Sequence, residues 1–207
     1  MSQYFAIHPD NPQARLVRQA ADIVRGGGVI AYPTDSCYAL GCQLGDKRAM
    51  ERIRRIRKAD KDHNFTLVVR DLKELSTYAR VDNTTFRLLK SATPGAYTFI
   101  LRATGEVPKR LMHEKRKTIG LRVPDHPTTQ ALLAELDEPL MSTTLYVPGD
   151  DMPMSDPWEI RQTLEHDVDL VIDGGFCGFE PTTVVDFSDD DLPRVLRHGV
   201  GDPAPFE

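Results

Sequence analysis

Apolar residues recur along this chain at two spacings, one typical of helices and one typical of strands. A first helix is predicted to begin at Asn11-Pro12, because Asn caps helices well and Pro is tolerated in the first turn. It should end at Gly26-Gly27-Gly28, and residues 29–32 then form a buried strand. A phosphate-binding glycine loop has the opposite order, strand before helix, so these glycines predict only a helix terminus.

A second helix is predicted over residues 47–58, where apolar residues recur at helical spacing from Met50. Further on, Asp71 and Glu74 have the spacing of a helix-capping box. The basic side chains of the second helix that should point outward are Arg52, Arg54, Arg55 and Lys58.

Short runs rich in apolar residues predict further strands at 66–70, 97–101, 118–123, 140–145, 168–172, 183–187 and 194–197. Another helix should end before residue 93, and two more should begin near residues 127 and 156. Strands and helices mostly alternate, with strands crowding near the C-terminus. This pattern predicts an α/β (α+β) fold with a mixed sheet and flanking helices. A length of 207 residues suits a single domain, 1–207.

Composition is that of an ordinary globular protein, with 40% hydrophobic and 28% charged residues. The apolar runs are too short to span a bilayer, and the first ten residues lack the pattern of a secretory signal. Three cysteines cannot all pair, and none lies in a Cys-x-x-Cys motif. We therefore expect a cytoplasmic protein with reduced thiols and no membrane partner.

Charge is unevenly distributed, although the net charge is only −5. Residues 47–61 include eight basic and two acidic residues, and residues 109–122 include six basic and one acidic. From residue 149 onward there are 15 acidic residues and three basic ones. Two basic stretches on an acidic protein indicate a local anion site, although two solvated surfaces would give the same counts.

Candidate ligand contacts lie where predicted strands end, which is the usual place for ligands in α/β sheets. Residues 33–38 carry three short oxygen-bearing side chains that can bind a ligand or close a turn. Arg122 lies in an apolar strand pattern, where its charge needs a partner. An internal carboxylate, or a carboxylate or phosphate of a ligand, would supply one. Hydroxyl residues 142–144 and 182–183 and the guanidinium of Arg197 flank other strands.

Several chemistries lack their motifs in this sequence. It has no Walker loop, no dinucleotide-binding glycine motif and no nucleophile elbow. The six histidines fall at no metal-ligand spacing. Cys37 lies near a strand end, but nothing local indicates a lowered pKa, so we interpret it as a packing residue.

Five segments, in this order, resemble the YrdC-like family of threonylcarbamoyl-AMP synthases, and their details are most similar to its YciO branch. They extend over nearly the whole chain, and their combined order is more specific than any one of them. The segments are 33–41 (Pro-Thr-Asp-Ser-Cys-Tyr-Ala-Leu-Gly), 93–101 (Thr-Pro-Gly-Ala-Tyr-Thr-Phe-Ile-Leu), 119–126 (Ile-Gly-Leu-Arg-Val-Pro-Asp-His), 181–186 (Pro-Thr-Thr-Val-Val-Asp) and 195–199 (Val-Leu-Arg-His-Gly).

The resemblance implies a YrdC/RibB-like fold, in which a twisted mixed sheet surrounds a concave, positively charged cavity. It also implies a reaction in which threonine, bicarbonate and ATP give threonylcarbamoyl-AMP and pyrophosphate, on the route to a modified tRNA adenosine. Such a site works mainly by positioning and charge stabilisation. We expect no tightly bound cofactor and no protein-held metal, with Mg²⁺ arriving on ATP if the reaction occurs.

The resemblance also assigns site residues, although none of them a catalytic role. Ser36, Arg122, Thr144 and Thr182 correspond to a threonine pocket, with Arg122 in the place of the arginine that grips the substrate carboxylate. Ser36 retains the hydroxyl of a family threonine, and Thr144 and Thr182 retain those of family serines. The residues implied to contact the nucleotide are Arg57, Lys58, Thr118 and Arg197.

Departures from the family pattern cluster on the nucleotide side. The family's Lys-x-Arg-Pro is residues 57–60 here, Arg-Lys-Ala-Asp, so Ala59 stands where an arginine is expected. Its Ser-Ala-Asn ends in Tyr146, a family histidine is Val68, and a family asparagine is His63. Loss of one phosphate-binding cation costs roughly 10²–10³ in rate, so we expect impaired synthase chemistry.

Three functions follow as hypotheses. The first is non-sequence-specific binding of tRNA or duplex RNA through phosphate and shape, together with a nucleotide, because no aromatic residues interleave the basic ones. The second is an active or weakly active synthase that binds threonine. The third is binding of another nucleotide or phosphorylated metabolite. The residues assigned to RNA are Arg52, Arg54, Arg55, Lys61, Lys115, Arg116 and Lys117.

Overall fold

The computed structural model describes residues 1–59, 63–189 and 192–207. Within these ranges ten strands form one sheet and six helices flank it. The strands are β1 (Gln3–Ala6), β2 (Ile30–Tyr32), β3 (Ala39–Gln43), β4 (Thr66–Val68), β5 (Tyr97–Arg102), β6 (Thr118–Arg122), β7 (Leu140–Thr144), β8 (Leu170–Asp173), β9 (Thr183–Asp186) and β10 (Arg194–Arg197). The helices are α1 (Ala14–Arg25), α2 (Lys47–Arg57), α3 (Leu72–Tyr78), α4 (Asn83–Ala92), α5 (Pro127–Leu136) and α6 (Pro157–Leu164). Short 3-10 turns lie at Lys109–Leu111 and Ala204–Phe206.

The sheet has the strand order β1-β8-β2-β3-β7-β4-β6-β5-β9-β10. Four pairs are parallel, namely β1 with β8, β2 with β8, β4 with β6, and β5 with β9. The other pairs are antiparallel. The α/β fold with a mixed sheet and flanking helices is therefore confirmed.

Two apolar cores lie on opposite faces of this sheet. One joins side chains such as Leu67, Phe99 and Leu121 to helices α2, α3, α4 and α6. The other joins the opposite face, around β2 and β8, to helices α1 and α5. Because side chains alternate along a strand, the residues next to Phe99 and Leu121 point away from the first core. This alternation places Thr98 and Arg122 on the second face.

Several local predictions are confirmed at residue level. The Asp71 carboxylate caps α3 by accepting the Glu74 N–H (2.8 Å), as in a capping box, and the Glu74 carboxylate reaches back to the Arg70 N–H (2.7 Å), one residue before the cap. Gly26 terminates α1, and Gly27 has a φ of +84°, which suits glycine.

Other predictions are wrong. Asn11 does not cap α1, which begins at Ala14, because His8 Nδ1 accepts the Asn11 N–H (3.1 Å) and holds that residue in a preceding turn. Arg54 does not point outward. Its side chain is only 13% exposed and its guanidinium lies over the Phe65 ring. Strands β1 and β3 were not predicted, and β3 lies inside the 33–41 segment.

The penultimate residue provides a test of the core. Phe206 is 4% exposed and packs edge-on against Tyr97, Phe99 and Phe187, with ring centroids 5.6–6.0 Å apart. We expect Phe206→Ala to lower the free energy of unfolding by about 3 kcal/mol in urea denaturation, because burial and ring packing are lost together. Phe176→Ala is the matched control, since Phe176 is 77% exposed. Equal effects of the two substitutions would contradict the described packing.

Candidate functional site

A hydroxyl-lined cavity lies on the second face of the sheet, over β4, β5 and β6. Its floor includes Thr66, Thr98 and Thr118, and its volume is about 120 Å³. Gly120 opens the floor, because a Cβ at this position would lie 3.2 Å from Thr66 Oγ1 and 3.4 Å from Thr98 Cγ2. Strand pairing brings these residues together, because Gly120 pairs with Thr66 on one side and with Ile100 on the other. The cavity offers several hydroxyl groups to a polar ligand.

A second cavity of about 380 Å³ adjoins the first and is lined by basic residues. Arg54 of α2 lines it together with Arg110 and Lys115, so the two basic stretches of the sequence meet here. The Arg110 guanidinium donates to the Gly45 carbonyl just before α2, which fixes the two stretches side by side. The residues that line both cavities are Asn64, Phe65, Leu111 and His113.

Arg122 is neutralised inside the protein. It is 7% exposed, and its guanidinium forms an ion pair with the Asp35 carboxylate, the internal alternative given by the sequence. The other Asp35 oxygen accepts the Asp125 N–H (2.9 Å). Ser36 remains beside the guanidinium, with its Oγ 3.5 Å from an Arg122 nitrogen. A ligand carboxylate at Arg122 would therefore share the guanidinium with Asp35.

Thr182 and Arg197, which were assigned to different parts of the predicted site, are in contact. The Arg197 guanidinium donates to the Thr182 carbonyl (2.8 Å) and to its Oγ1 (3.2 Å). Thr182 Oγ1 also lies 2.8 Å from Thr98 Oγ1, and Thr98 lines the hydroxyl cavity. Thr144 lies on the same face of the sheet as Thr66, because it is two residues along β7 from the residue that pairs with Thr66.

Arg57 is held by neutral groups. It donates to His63 Nε2 (2.8 Å) and to Thr143 Oγ1, and its guanidinium lies 5.3 Å from the Tyr146 ring centre. Since arginine only donates hydrogen bonds, His63 accepts at Nε2 and is neutral. Burial, with the charges of Arg57 and Arg54, lowers the pKa of His63 to about 4. Burial also lowers the pKa of Arg57. The sequence named His63 and Tyr146 as departures but did not reveal that both touch Arg57.

Three of the residues assigned to RNA form ion pairs with acidic side chains. Arg52 and Arg116 form ion pairs with Asp169 (2.7 Å) and Asp186 (3.1 Å), and Arg54 pairs with Glu51 (2.7 Å). The exposed residues among those assigned are Arg55, Lys115, Arg116 and Lys117. Lys61 lies outside the described residues.

Lys58 does not line the two joined cavities. It ends α2 in a left-handed conformation and lines a separate cavity with Arg52 and Arg55. In the described ranges, no three His, Cys, Asp or Glu side chains are grouped so as to hold a metal ion. None of the helices there combines the length and apolar character of a bilayer-spanning segment.

Comparison with known proteins identifies relatives that are similar to this chain in sequence. The chain is 63% identical to the protein YciO of Escherichia coli strain K12 over 206 residues, with a coverage of 100% for each chain. It is 35% identical to the threonylcarbamoyl-AMP synthase of Nitrosococcus oceani over 159 residues, covering 76% of this chain and 85% of the synthase.

Solved structures agree with the fold. The crystal structure of E. coli YciO matches all of both chains at 62% identity, with a TM-score of 0.95. P. abyssi Sua5 in complex with L-threonine matches 96% of this chain and 58% of its own, at 22% identity and a TM-score of 0.87, so it supports the fold. The family model Sua5_yciO_yrdC, described as "Telomere recombination", matches residues 22–199. The chain therefore belongs to the Sua5/YciO/YrdC family, as its sequence segments had suggested.

Proposed function

We propose that this protein binds a nucleotide in the two joined cavities and binds RNA on the basic surface beside them. The observation that carries the proposal is that a hydroxyl-lined cavity and a basic one share four lining residues, Asn64, Phe65, Leu111 and His113. A nucleotide has the same two parts, a polar nucleoside and a charged phosphate group.

The hydroxyl-lined cavity suits the nucleoside end of such a ligand. Thr66, Thr98 and Thr118 can donate to or accept from sugar hydroxyls and base edges. The basic cavity suits the phosphates, because Arg110 and Lys115 line it and each carries a positive charge. Together the cavities have the size of an ordinary small-molecule site.

RNA binding is supported by exposed cations of the two basic stretches, with Lys115 at the basic cavity and Arg55 at the separate cavity that Arg52 and Lys58 also line. Arg55 and Lys117 are exposed and face solvent, where backbone phosphates can reach them. Arg52 and Arg54 contribute less, because Asp169 and Glu51 already neutralise them. We therefore assign the RNA contact mainly to Arg55, Lys115 and Lys117.

Synthase activity is a second candidate, supported by the 35% identity to the N. oceani threonylcarbamoyl-AMP synthase. Threonine would lie near Ser36 and Arg122, with ATP in the joined cavities and Mg²⁺ on its phosphates. Two features reduce this activity. Asp35 already occupies Arg122, and Arg57 is engaged by Thr143 and His63.

Nucleotide binding is tested by removing one hydroxyl from the cavity floor. We expect Thr118→Val to weaken binding of ATP or AMP about three- to tenfold in isothermal titration calorimetry, because one hydrogen bond is lost. Thr77→Val, at an exposed site on α3, is the matched control and should leave the affinity unchanged. If Thr118→Val binds the nucleotide with unaltered affinity, the nucleotide does not bind in this cavity.

RNA binding is tested by reversing two exposed charges. We expect the double variant Arg55→Glu/Lys117→Glu to weaken tRNA binding about tenfold or more at low salt and to lower the salt dependence by about two ion contacts. Arg87→Glu/Lys90→Glu, at two exposed positions of α4, is the control with the same change in net charge. Filter binding over a salt series measures both effects, and an affinity insensitive to salt would contradict the proposal. The double variant should retain its nucleotide affinity, which separates the two ligands.

Synthase chemistry is tested by restoring the two family residues. In the presence of threonine, bicarbonate, ATP and Mg²⁺, we expect Ala59→Arg/Tyr146→Asn to release pyrophosphate about 10- to 100-fold faster than the native protein, because a phosphate-binding cation is regained. Reactions without threonine, and with Ser36→Ala, are the controls. If neither protein gives threonine-dependent pyrophosphate, this candidate function is excluded.

A further inference from the structure

A buried carboxylate, that of Asp186, lies at the edge of the hydroxyl-lined cavity. Its residue pairs in the sheet with Ile100 of β5, which lines this cavity. Val185 packs in the first core, so the side chains of Val184 and Asp186 on either side of it point to the second face, and Val184 lines the cavity as well. A buried carboxylate at this position needs partners that neutralise its charge.

Three groups contact the Asp186 carboxylate. Its Oδ1 accepts the Ser188 N–H (2.8 Å), and its Oδ2 accepts a hydrogen bond from Arg116 Nη1 (3.1 Å). Arg194 forms a longer ion pair with Oδ2 (3.9 Å). Of these partners, Arg116 lines the hydroxyl-lined cavity. The shorter ion pair of the buried carboxylate therefore orients a cation at the candidate nucleotide site.

The backbone that carries Arg116 is fixed by its own turn. The His113 N–H donates to the Thr118 carbonyl (2.9 Å), and the Lys117 N–H donates to the His113 carbonyl (2.9 Å). The Arg116 N–H donates to His113 Nδ1 (3.2 Å). These bonds leave the long arginine side chain free to rotate, so its direction depends on Asp186. A side chain that is ordered before the ligand arrives loses less conformational freedom when the ligand binds.

We propose that Asp186 positions Arg116 at the hydroxyl-lined cavity, where the guanidinium donates a hydrogen bond to the nucleoside part of the bound nucleotide. This inference rests on the proposed function of the two joined cavities. In the described ranges the guanidinium has one acceptor, the Asp186 carboxylate, so it keeps further N–H groups for a ligand. Because the carboxylate offsets its charge, Arg116 is an oriented donor for an uncharged acceptor, such as a ribose hydroxyl or a ring nitrogen. The phosphates bind in the basic cavity, which Lys115 lines.

The test compares the affinities for adenosine and for ATP by isothermal titration calorimetry. We expect Arg116→Gln to weaken the binding of both ligands by the same factor, about five- to tenfold, because one hydrogen bond to the shared nucleoside is lost. Lys115→Ala should weaken ATP more than adenosine, as a phosphate contact does. Arg87→Gln, at an exposed position of α4 with the same change in charge, is the matched control and should leave both affinities unchanged.

The positioning role is tested by Asp186→Asn, alone and in the Arg116→Gln background. An asparagine oxygen can still accept the Ser188 N–H, but the charge that orients the guanidinium is lost. We expect Asp186→Asn alone to weaken adenosine binding about as much as Arg116→Gln does, and to have no further effect in the Arg116→Gln background, because it acts through Arg116. A merely structural role would weaken adenosine binding equally in both backgrounds.

Arg116→Lys keeps the inference testable if Asp186→Asn does not fold. Its ammonium group can pair with Asp186 but has no planar fork to offer the ligand, so its affinity for adenosine should be as low as that of Arg116→Gln. Full adenosine affinity in either Arg116 variant would overturn the inference, as would a loss for ATP much larger than that for adenosine.

The outcomes also separate this inference from the proposed function. If Thr118→Val weakens nucleotide binding and Arg116→Gln does not, the nucleotide site stands and the role of Asp186 and Arg116 is wrong. If the native protein binds neither adenosine nor ATP, the proposed nucleotide site is wrong, and the role of these two residues fails with it.

Discussion

A guanidinium on the face of a sheet has to be neutralised, and in this protein the Asp35 carboxylate neutralises Arg122. Both groups are nearly buried, and removal of either would leave a charge without its counter-ion. The pair also determines local structure. It ties the loop after β2 to the end of β6, and the second Asp35 oxygen holds the Asp125 N–H at the start of the next connection. Ser36, the next residue, lies beside the same guanidinium, with its Oγ 3.5 Å from an Arg122 nitrogen.

Sequence reasoning identified Arg122 as a charge that needed a partner but could not name Asp35. The partner comes from the loop after β2, 87 positions earlier, although β3, β7 and β4 separate β2 from β6 in the sheet, so only the tertiary fold brings the two groups together. The same reason explains the basic stretches. Their residues could be counted in the sequence, but their meeting at one cavity depends on the Arg110 contact with Gly45. Arg54 was misplaced because helix periodicity does not reveal that Phe65, in the following segment, covers it.

Regular elements with strong local signals were predicted best. Strand β10 and the C-terminal end of α4 follow directly from apolar pattern and turn residues. Strand β1 was missed because it is a four-residue edge strand with two exposed positions. Strand β3 was missed because residues 33–41 were interpreted only through their oxygen-bearing side chains. The second half of this segment pairs with β2 and β7 as a strand. In this segment the polar side chains thus indicated a candidate ligand site, but they did not indicate the strand.

Three of the departures from the family pattern, Arg57, His63 and Tyr146, are physically connected to one another. Arg57 stands where a lysine is expected. One guanidinium nitrogen contacts both His63 and Thr143, and the planar group lies against the Tyr146 ring. An ammonium group has no planar face for stacking on a ring and would be poorly matched to this arrangement. A neutral His63 accepts a hydrogen bond from the guanidinium, whereas a protonated His63 would be repelled by it. This repulsion favours the neutral form and so contributes to the lowered pKa of His63. These replacements therefore form one interacting unit, and changing any one of them alone leaves a neighbour without its contact.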